Sequence, residues 1–152
     1  MAIVKKLDDT PMPPLIDHIG WRLWQAAQEW KMRFDDAMVA GGYPVFREAR
    51  SRVLAVLDFG GTPQGLLAER LGMSKQAVQQ LVDQLVDDGF VARHPDPHDG
   101  RGRVVTYTAL GAQLMTDANR VKRRIDRRYR KTLGEGGFAA LESALIRLID
   151  AS

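Results

Sequence analysis

The sequence contains no cysteine among its 152 residues, which excludes disulfide bonds, thiolate metal sites, cysteine nucleophiles and cysteine redox sensing. It also lacks any apolar run of the roughly 18 residues that a membrane-spanning helix needs. No basic segment followed by an apolar stretch stands near its start, so a secretory signal is not expected either. We therefore predict a cytoplasmic protein.

Several enzyme signatures are missing as well. The sequence has no glycine-rich phosphate loop, no nucleophile elbow built around Ser-x-Gly, and no close carboxylate pair in an apolar setting. The three histidines, His18, His94 and His98, do not have the spacing of metal ligands. We expect neither an enzyme nor a metal site, and no cofactor.

Charge is distributed unevenly along the chain, although the net charge is only +3. Residues 93–131 contain eleven Lys or Arg against four Asp, whereas residues 61–92 contain two basic against four acidic residues. Seven of the ten residues in 122–131 are basic. This pattern favours a polyanionic partner such as nucleic acid, but a basic run is often only the solvated face of a helix.

Apolar periodicity predicts a mainly helical chain after a proline-rich lead-in at residues 1–14. Spacings of three and four residues predict helices at 16–39, 45–58, 109–133 and 138–149, with glycines at 134, 136 and 137 interrupting the last two. Thr62 and Pro63 are expected to cap a short helix that ends at Gly72. Ser74 is expected to cap the helix at 75–88, whose apolar face is Val78, Leu81, Val82, Leu85 and Val86.

Two short helices joined by a tight Gly-Met turn form a predicted helix-turn-helix. The N-terminal end of its second helix presents Lys75 and three glutamines, which suit contacts with base edges and phosphate. A solvated helix face would look the same, and this alternative stays open. The segment HPDPHDGRGR at 94–103 follows between two short apolar runs, which predicts a β-hairpin with Gly100–Arg103 at its tip. Asp99 would orient the Arg101 guanidinium there.

The stretch LLAERLGMSKQAVQQLVDQLVDDGFVARHPDPHDGRGRVVTYTALG resembles the DNA-binding core of the MarR (multiple-antibiotic-resistance regulator) family of bacterial transcription factors. The Leu-Gly-Met-Ser turn, the Leu-Val-Asp-Gln-Leu helix and the Asp-x-Arg pattern at Asp99 and Arg101 carry the likeness. It implies a mainly α fold with a small β-hairpin wing, in which a winged helix-turn-helix core is flanked by long N- and C-terminal dimerisation helices.

The resemblance also implies which residues bind double-stranded DNA. They are Ser74, Lys75, Gln76, Gln79 and Gln80 on the recognition helix, and Asp99, Arg101 and Arg103 on the wing. Gly100 and Gly102 stand where relatives often carry larger residues, which predicts a wing tip that is more flexible than theirs before binding.

By the same resemblance the chain is a homodimer and a repressor with a pseudo-palindromic site. The predicted division is a flexible lead-in at 1–14, an N-terminal dimerisation helix at 15–44, the DNA-binding domain at 45–108 and C-terminal dimerisation helices at 109–152. The wide apolar stripes of the flanking helices independently favour a second copy of the chain. A winged-helix module that binds another protein, without sequence-specific DNA binding, is the alternative.

MarR-like dimers often bind small aromatic or anionic effectors between the dimerisation and DNA-binding regions. The residues expected to line such a pocket are His18, Trp21, Arg22, Trp24 and Arg50, with Trp30 as a further aromatic. Packing in the core or in the dimer explains the aromatic side chains equally well.

Overall fold

The computed structural model describes residues 13–151, so most of the predicted lead-in lies outside the described residues. The chain folds into helices and one small antiparallel sheet. In order, the elements are α1 (Ile19–Ala40), a 3₁₀ helix (Pro44–Arg47), α2 (Ser51–Val56), β1 (Thr62–Pro63), α3 (Gln64–Leu71), α4 (Lys75–Asp87), β2 (Val91–Asp96), β3 (Asp99–Tyr107) and α5 (Ala109–Asp150). Within 13–151, no helix is both long and apolar enough to span a bilayer.

The first long helix is confirmed, but it starts at Ile19 and not at residue 16. His18 sets this start, because its ring Nδ1 accepts a hydrogen bond from the backbone N–H of Trp21 at 3.3 Å. Only Phe34 and Met38 of α1 are buried, and both lie in its C-terminal half. The apolar stripe of the N-terminal half therefore faces outward.

The single helix predicted at 45–58 is wrong. The segment forms the 3₁₀ helix and α2, and Glu48 between them has extended backbone angles, with φ −115° and ψ 155°. The hydroxyl of Ser51 donates to the Glu48 carbonyl at 2.8 Å and stabilises this break. Because the chain bends here, Val45 on the first piece and Val53 on the second both reach the core.

The predicted helix cap at Thr62 is also wrong. Thr62 is fully buried in β1, where it pairs with Val105 of β3. Its Oγ1 accepts from the Asp58 N–H at 2.9 Å, so the hydroxyl stabilises the preceding turn and not the next helix. Pairing with a strand more than 40 residues away overrode the local capping signal.

The helix-turn-helix of α3 and α4 is confirmed. Gly72 has the left-handed backbone angles φ 61° and ψ 34° that the tight turn requires. Ser74 caps α4, since its side chain accepts from the Ala77 N–H at 3.1 Å. The predicted apolar face packs inward at Val78, Val82 and Leu85, whereas Val86 is exposed.

The predicted hairpin is confirmed as β2 and β3, and the sheet has the order β1-β3-β2. After Tyr107, Thr108 caps α5 by accepting from the Gly111 N–H at 3.1 Å. Of the three glycines predicted to interrupt the helices, Gly134 does so, because its angles of φ 74° and ψ 163° are not helical, whereas Gly136 and Gly137 lie within the helix. The fold class is therefore that of a winged helix-turn-helix with long flanking helices.

One apolar core joins these parts. It contains side chains from α1, the 3₁₀ helix, α2, α3, α4, the sheet and the first half of α5. From α5 it includes Leu114, Ala118 and Ile125. The long helix is thus fixed directly to the winged domain, and its C-terminal half extends beyond that core.

Candidate nucleic-acid interface

The five residues predicted to contact DNA from α4 lie together on the exposed surface of its first turns. They are Ser74, Lys75, Gln76, Gln79 and Gln80. The opposite face of the same helix is buried in the core, and this packing keeps the five residues on the surface. Among residues 13–151, the side chains of Lys75 and the three glutamines make no hydrogen bond or ion pair, which leaves their donors and acceptors available.

Two ion pairs fix α4 relative to its neighbours. Arg93 of β2 bonds the carboxylate of Asp83 in the middle of α4, which ties the wing to this helix. Arg50 Nε donates to Asp88 at 2.7 Å, just beyond the end of α4. Sequence reasoning missed both pairs, because opposite charges 10 and 38 residues apart carry no local signal of contact. Together they hold α4 against β2 and the segment that precedes α2.

The apex of the wing differs from the prediction. Strands β2 and β3 continue to Asp96 and Asp99, and the turn between them is Pro97 and His98. The register passes from Asp96 opposite Asp99 to Pro95 opposite Arg103, so residues 100–102 bulge out of β3. Gly100–Arg103 is therefore a bulged strand edge and not the tip.

The two aspartates of the wing bind the main chain. Asp99 Oδ1 accepts from the backbone N–H of Arg101 at 3.0 Å, so its contact is not the predicted one with the guanidinium. Asp96 Oδ1 accepts from the His98 N–H at 2.8 Å and closes the turn. These bonds shape the bulge and leave the exposed Arg101 side chain without an ionic partner in the described part of the chain.

The two wing glycines differ in their surroundings. A Cβ at Gly102 would lie 3.1 Å from Asp96 Cβ and 3.2 Å from Asp99 Oδ2, whereas a Cβ at Gly100 would meet no atom within 4 Å. Gly102 thus leaves room for the two carboxylates. At the base of the wing His94 Nε2 lies 3.1 Å from Thr106 Oγ1 and links the two strands.

The five residues predicted for an effector pocket do not converge. His18, Trp21, Arg22 and Trp24 lie at the exposed start of α1, where the two indoles stack with centroids 4.9 Å apart and Arg22 pairs with Asp17. Arg50 lies elsewhere and bonds Glu48 and Asp88. The tryptophan rings are about half exposed, at 49% and 53%.

A cavity of about 390 Å³ lies instead between α1, α2 and α5. Trp30, the additional aromatic named from the sequence, lines it and stacks on Phe34 with centroids 5.2 Å apart. Phe46 meets the Phe34 ring edge-on. Lys122 places its ammonium 5.9 Å from the Phe34 centroid. The lining thus combines stacked aromatic rings with the cations Arg52 and Lys122 and with the ion pair between Lys31 and Asp35.

Comparison with known sequences identifies relatives of the winged region. The sequence model of the MarR family matches residues 48–102. An HTH-type transcriptional regulator of Mycobacterium tuberculosis is 30% identical over 112 residues, which cover 72% of this chain and 78% of that protein. An HTH-type regulator of Mycobacterium leprae is 32% identical over 79 residues, and this match covers only 55% of its length.

Solved structures share the fold over most of the chain. A probable transcriptional regulator from Pseudomonas aeruginosa has 27% identity and a TM-score of 0.63, with 87% of this chain and 97% of that chain covered. A mutant of the Escherichia coli regulator MarR, crystallised with operator DNA, has 23% identity and a TM-score of 0.69, with 86% and 92% covered.

Proposed function

We propose, since the chain belongs to the MarR family of transcriptional regulators, that it binds a pseudo-palindromic DNA site as a homodimer and represses transcription. The observation that carries this proposal is the exposed, partner-free polar end of α4 beside a wing whose Arg101 is also unpaired. The operator complex of the E. coli regulator supports the same mode of use for this fold. Contact with chromosomal DNA places the protein in the cytoplasm.

The proposed docking places the N-terminal end of α4 in the major groove. Gln76 and Gln80 would each offer an amide that donates and accepts, which suits the adenine edge, and Lys75 would reach phosphate or guanine. The wing would lie along the neighbouring minor groove, where the narrow walls favour the guanidinium of Arg101. Because the Arg93–Asp83 pair ties wing to helix, both elements approach the duplex as one rigid unit.

Exposed apolar side chains support the homodimer. They lie in the N-terminal half of α1 and in the part of α5 beyond Gly134, and include Ile19, Trp24, Leu141, Leu145 and Ile149. Clusters of exposed aliphatic residues on a folded chain usually mark an interface. We assign dimerisation to residues 15–44 and 109–152, and DNA binding to residues 45–108.

The aromatic cavity supports an effector that relieves repression. Its volume and lining suit a small aromatic anion, stacked on Trp30 and Phe34 and paired with Lys122. Ser51 also lines the cavity and directly follows Arg50, which bonds Asp88 at the end of α4. A ligand that moves α2 would therefore act on the recognition helix through this ion pair.

The test is a fluorescence-anisotropy titration of the dimer with its own upstream DNA and with a scrambled duplex. We expect Gln76→Ala to cost about 1–3 kcal/mol at particular base pairs only, and Arg101→Ala to weaken all sequences and to reduce the salt dependence. Arg123→Ala is the matched control, because Arg123 is also an exposed arginine but lies on α5, away from α4 and the wing.

Two outcomes would contradict the proposal. Equal affinity for the natural and scrambled duplexes would show that the protein does not recognise a specific DNA sequence. A complex that high salt leaves unchanged, formed with a protein and not with DNA, would favour the interaction module.

A further inference from the structure

A groove between α1 and α5 carries six cationic side chains among its fourteen lining residues. It consists of two adjoining cavities of about 730 and 430 Å³, which share Ala37, Arg124 and Arg127 as walls. The cationic side chains of the lining are Arg33, Arg120, Arg124, Arg127, Arg128 and Lys131. Most of the basic run noted in the sequence therefore faces one concave surface.

Four of the five α5 members of this set form a single stripe. Arg120, Arg124, Arg127 and Lys131 follow one another at spacings of four, three and four residues, which places them on one face of the helix. Eleven residues of helical rise give the stripe a length of about 17 Å. The groove thus presents a row of charges and not an isolated arginine.

The acidic residues beside the groove are already engaged. Asp117 accepts from Tyr43 at 2.6 Å and pairs with Arg120, and Asp36 pairs with Arg47. Arg33 pairs with Glu29. The hydrogen bond from Tyr43 lowers the pKa of the Asp117 carboxyl, so this group is ionised. Its charge is already paired with Arg120.

Four cations of the groove remain uncompensated. Within residues 13–151, Arg124, Arg127, Arg128 and Lys131 form no ion pair, and all four are exposed. Like charges held within eight residues on one groove repel each other, and a multivalent anion would remove this cost.

This groove is separate from the aromatic cavity. Met115, Ala118 and Lys122 of α5 line the aromatic cavity, whereas Asp117, Arg120 and Arg124 line the groove. A shift of two residues corresponds to about 200° around a helix, so the two sites lie on opposite sides of α5. The groove also contains none of the DNA-facing residues of α4 and the wing.

We propose that this groove binds a small oligophosphate, an anion with at least two phosphate groups. Guanidinium forks match phosphate oxygens in paired hydrogen bonds, and several such forks along one stripe match several phosphates. A monocarboxylate would neutralise only one of the four uncompensated cations. The site adds a second, chemically distinct ligand to the one assigned to the aromatic cavity.

Isothermal titration of the full chain with inorganic triphosphate tests the proposal. We expect one site per chain in the wild type, and binding about tenfold or more weaker in Arg124→Gln and in Arg127→Gln, since each loses charge-assisted hydrogen bonds. Arg123→Gln is the matched control, because it removes the same charge from an exposed position of α5 outside the groove. Its affinity for triphosphate should equal that of the wild type.

Three results would overturn the proposal. The first is a wild-type chain that does not bind triphosphate, as a partner copy covering the groove would produce. The second is a loss in Arg123→Gln equal to that in Arg124→Gln, which would reveal only diffuse attraction. The third is a parallel loss of operator affinity in Arg124→Gln, which would make the groove part of the DNA surface. Operator binding by the wild type is measured separately, so a failed DNA proposal is recognised independently.

Discussion

Replacement of Gly111 by alanine tests how the long helix is joined to the winged domain. Gly111 lies in the first turn of α5, against the residue that precedes β2. A Cβ at this position would lie 2.0 Å from the carbonyl oxygen of Phe90 and 3.0 Å from the Tyr107 ring. The same carbonyl accepts from the Thr108 N–H at 3.1 Å, so it cannot move away without breaking that bond.

The expected loss in the free energy of unfolding follows from these distances. A carbon needs about 3.3 Å of separation from a carbonyl oxygen, so α5 and the Phe90 carbonyl must part by about 1.3 Å. Overpacking of this kind costs about 3 kcal/mol, and the better helix propensity of alanine returns about 1 kcal/mol. We expect Gly111→Ala to lower the free energy of unfolding by about 2 kcal/mol or more.

Denaturant unfolding followed by circular dichroism measures the change, with Gly136→Ala as the matched control. Gly136 is also in α5, and a Cβ there would meet no atom within 4 Å. The control should be unchanged or more stable by up to about 1 kcal/mol. Equal unfolding free energies in the two variants would refute the proposed contact between α5 and Phe90.

Two further predictions concern local bonds. Ser74→Ala removes the cap of α4 and should cost about 1 kcal/mol of unfolding free energy in a denaturant titration, while Ser74→Gly should cost only a few tenths. Burial raises the pKa of Tyr107 to about 12, and its hydroxyl donates to the Leu54 carbonyl at 2.9 Å. The unfolded phenol ionises near its ordinary pKa of about 10, so this stabilisation is complete below that pH and is lost between about 10 and 12. The stability difference between the wild type and Tyr107→Phe should therefore shrink on raising the pH from about 9 to about 11.5, and a constant difference would contradict it.

Helix α4 was predictable because its signals are local. Its signals are the serine before it, the spacing of Val78, Val82 and Leu85, and the glycine after it, and all of them act within a few turns of helix. The same holds for the cap at Thr108 and the break at Gly134.

Segments that depend on distant partners were not predictable in the same way. Thr62 and Pro63 have the sequence pattern of a helix start. They form a strand instead, because they pair with the edge of β3. The stripe of α1 also did not indicate which of its aromatic residues line the cavity between α1, α2 and α5. Its periodicity places Trp24 and Trp30 on one broad face, but only the C-terminal part of that face is covered by α2 and α5.

In the wing the predicted Asp-x-Arg motif is present, but its hydrogen bonds differ from the predicted ones. Because Gly102 has no side chain, the carboxylates of Asp96 and Asp99 can lie close to the strand. Asp99 accepts a hydrogen bond from the backbone N–H of Arg101. The aspartate therefore fixes the backbone position from which the arginine side chain starts, without holding the guanidinium itself. A guanidinium that has no ion pair to break reaches a phosphate at a lower cost than one already paired. The bulge and the unpaired side chain together suit the proposed role of the wing, in which Arg101 enters a groove of the duplex with its charge available.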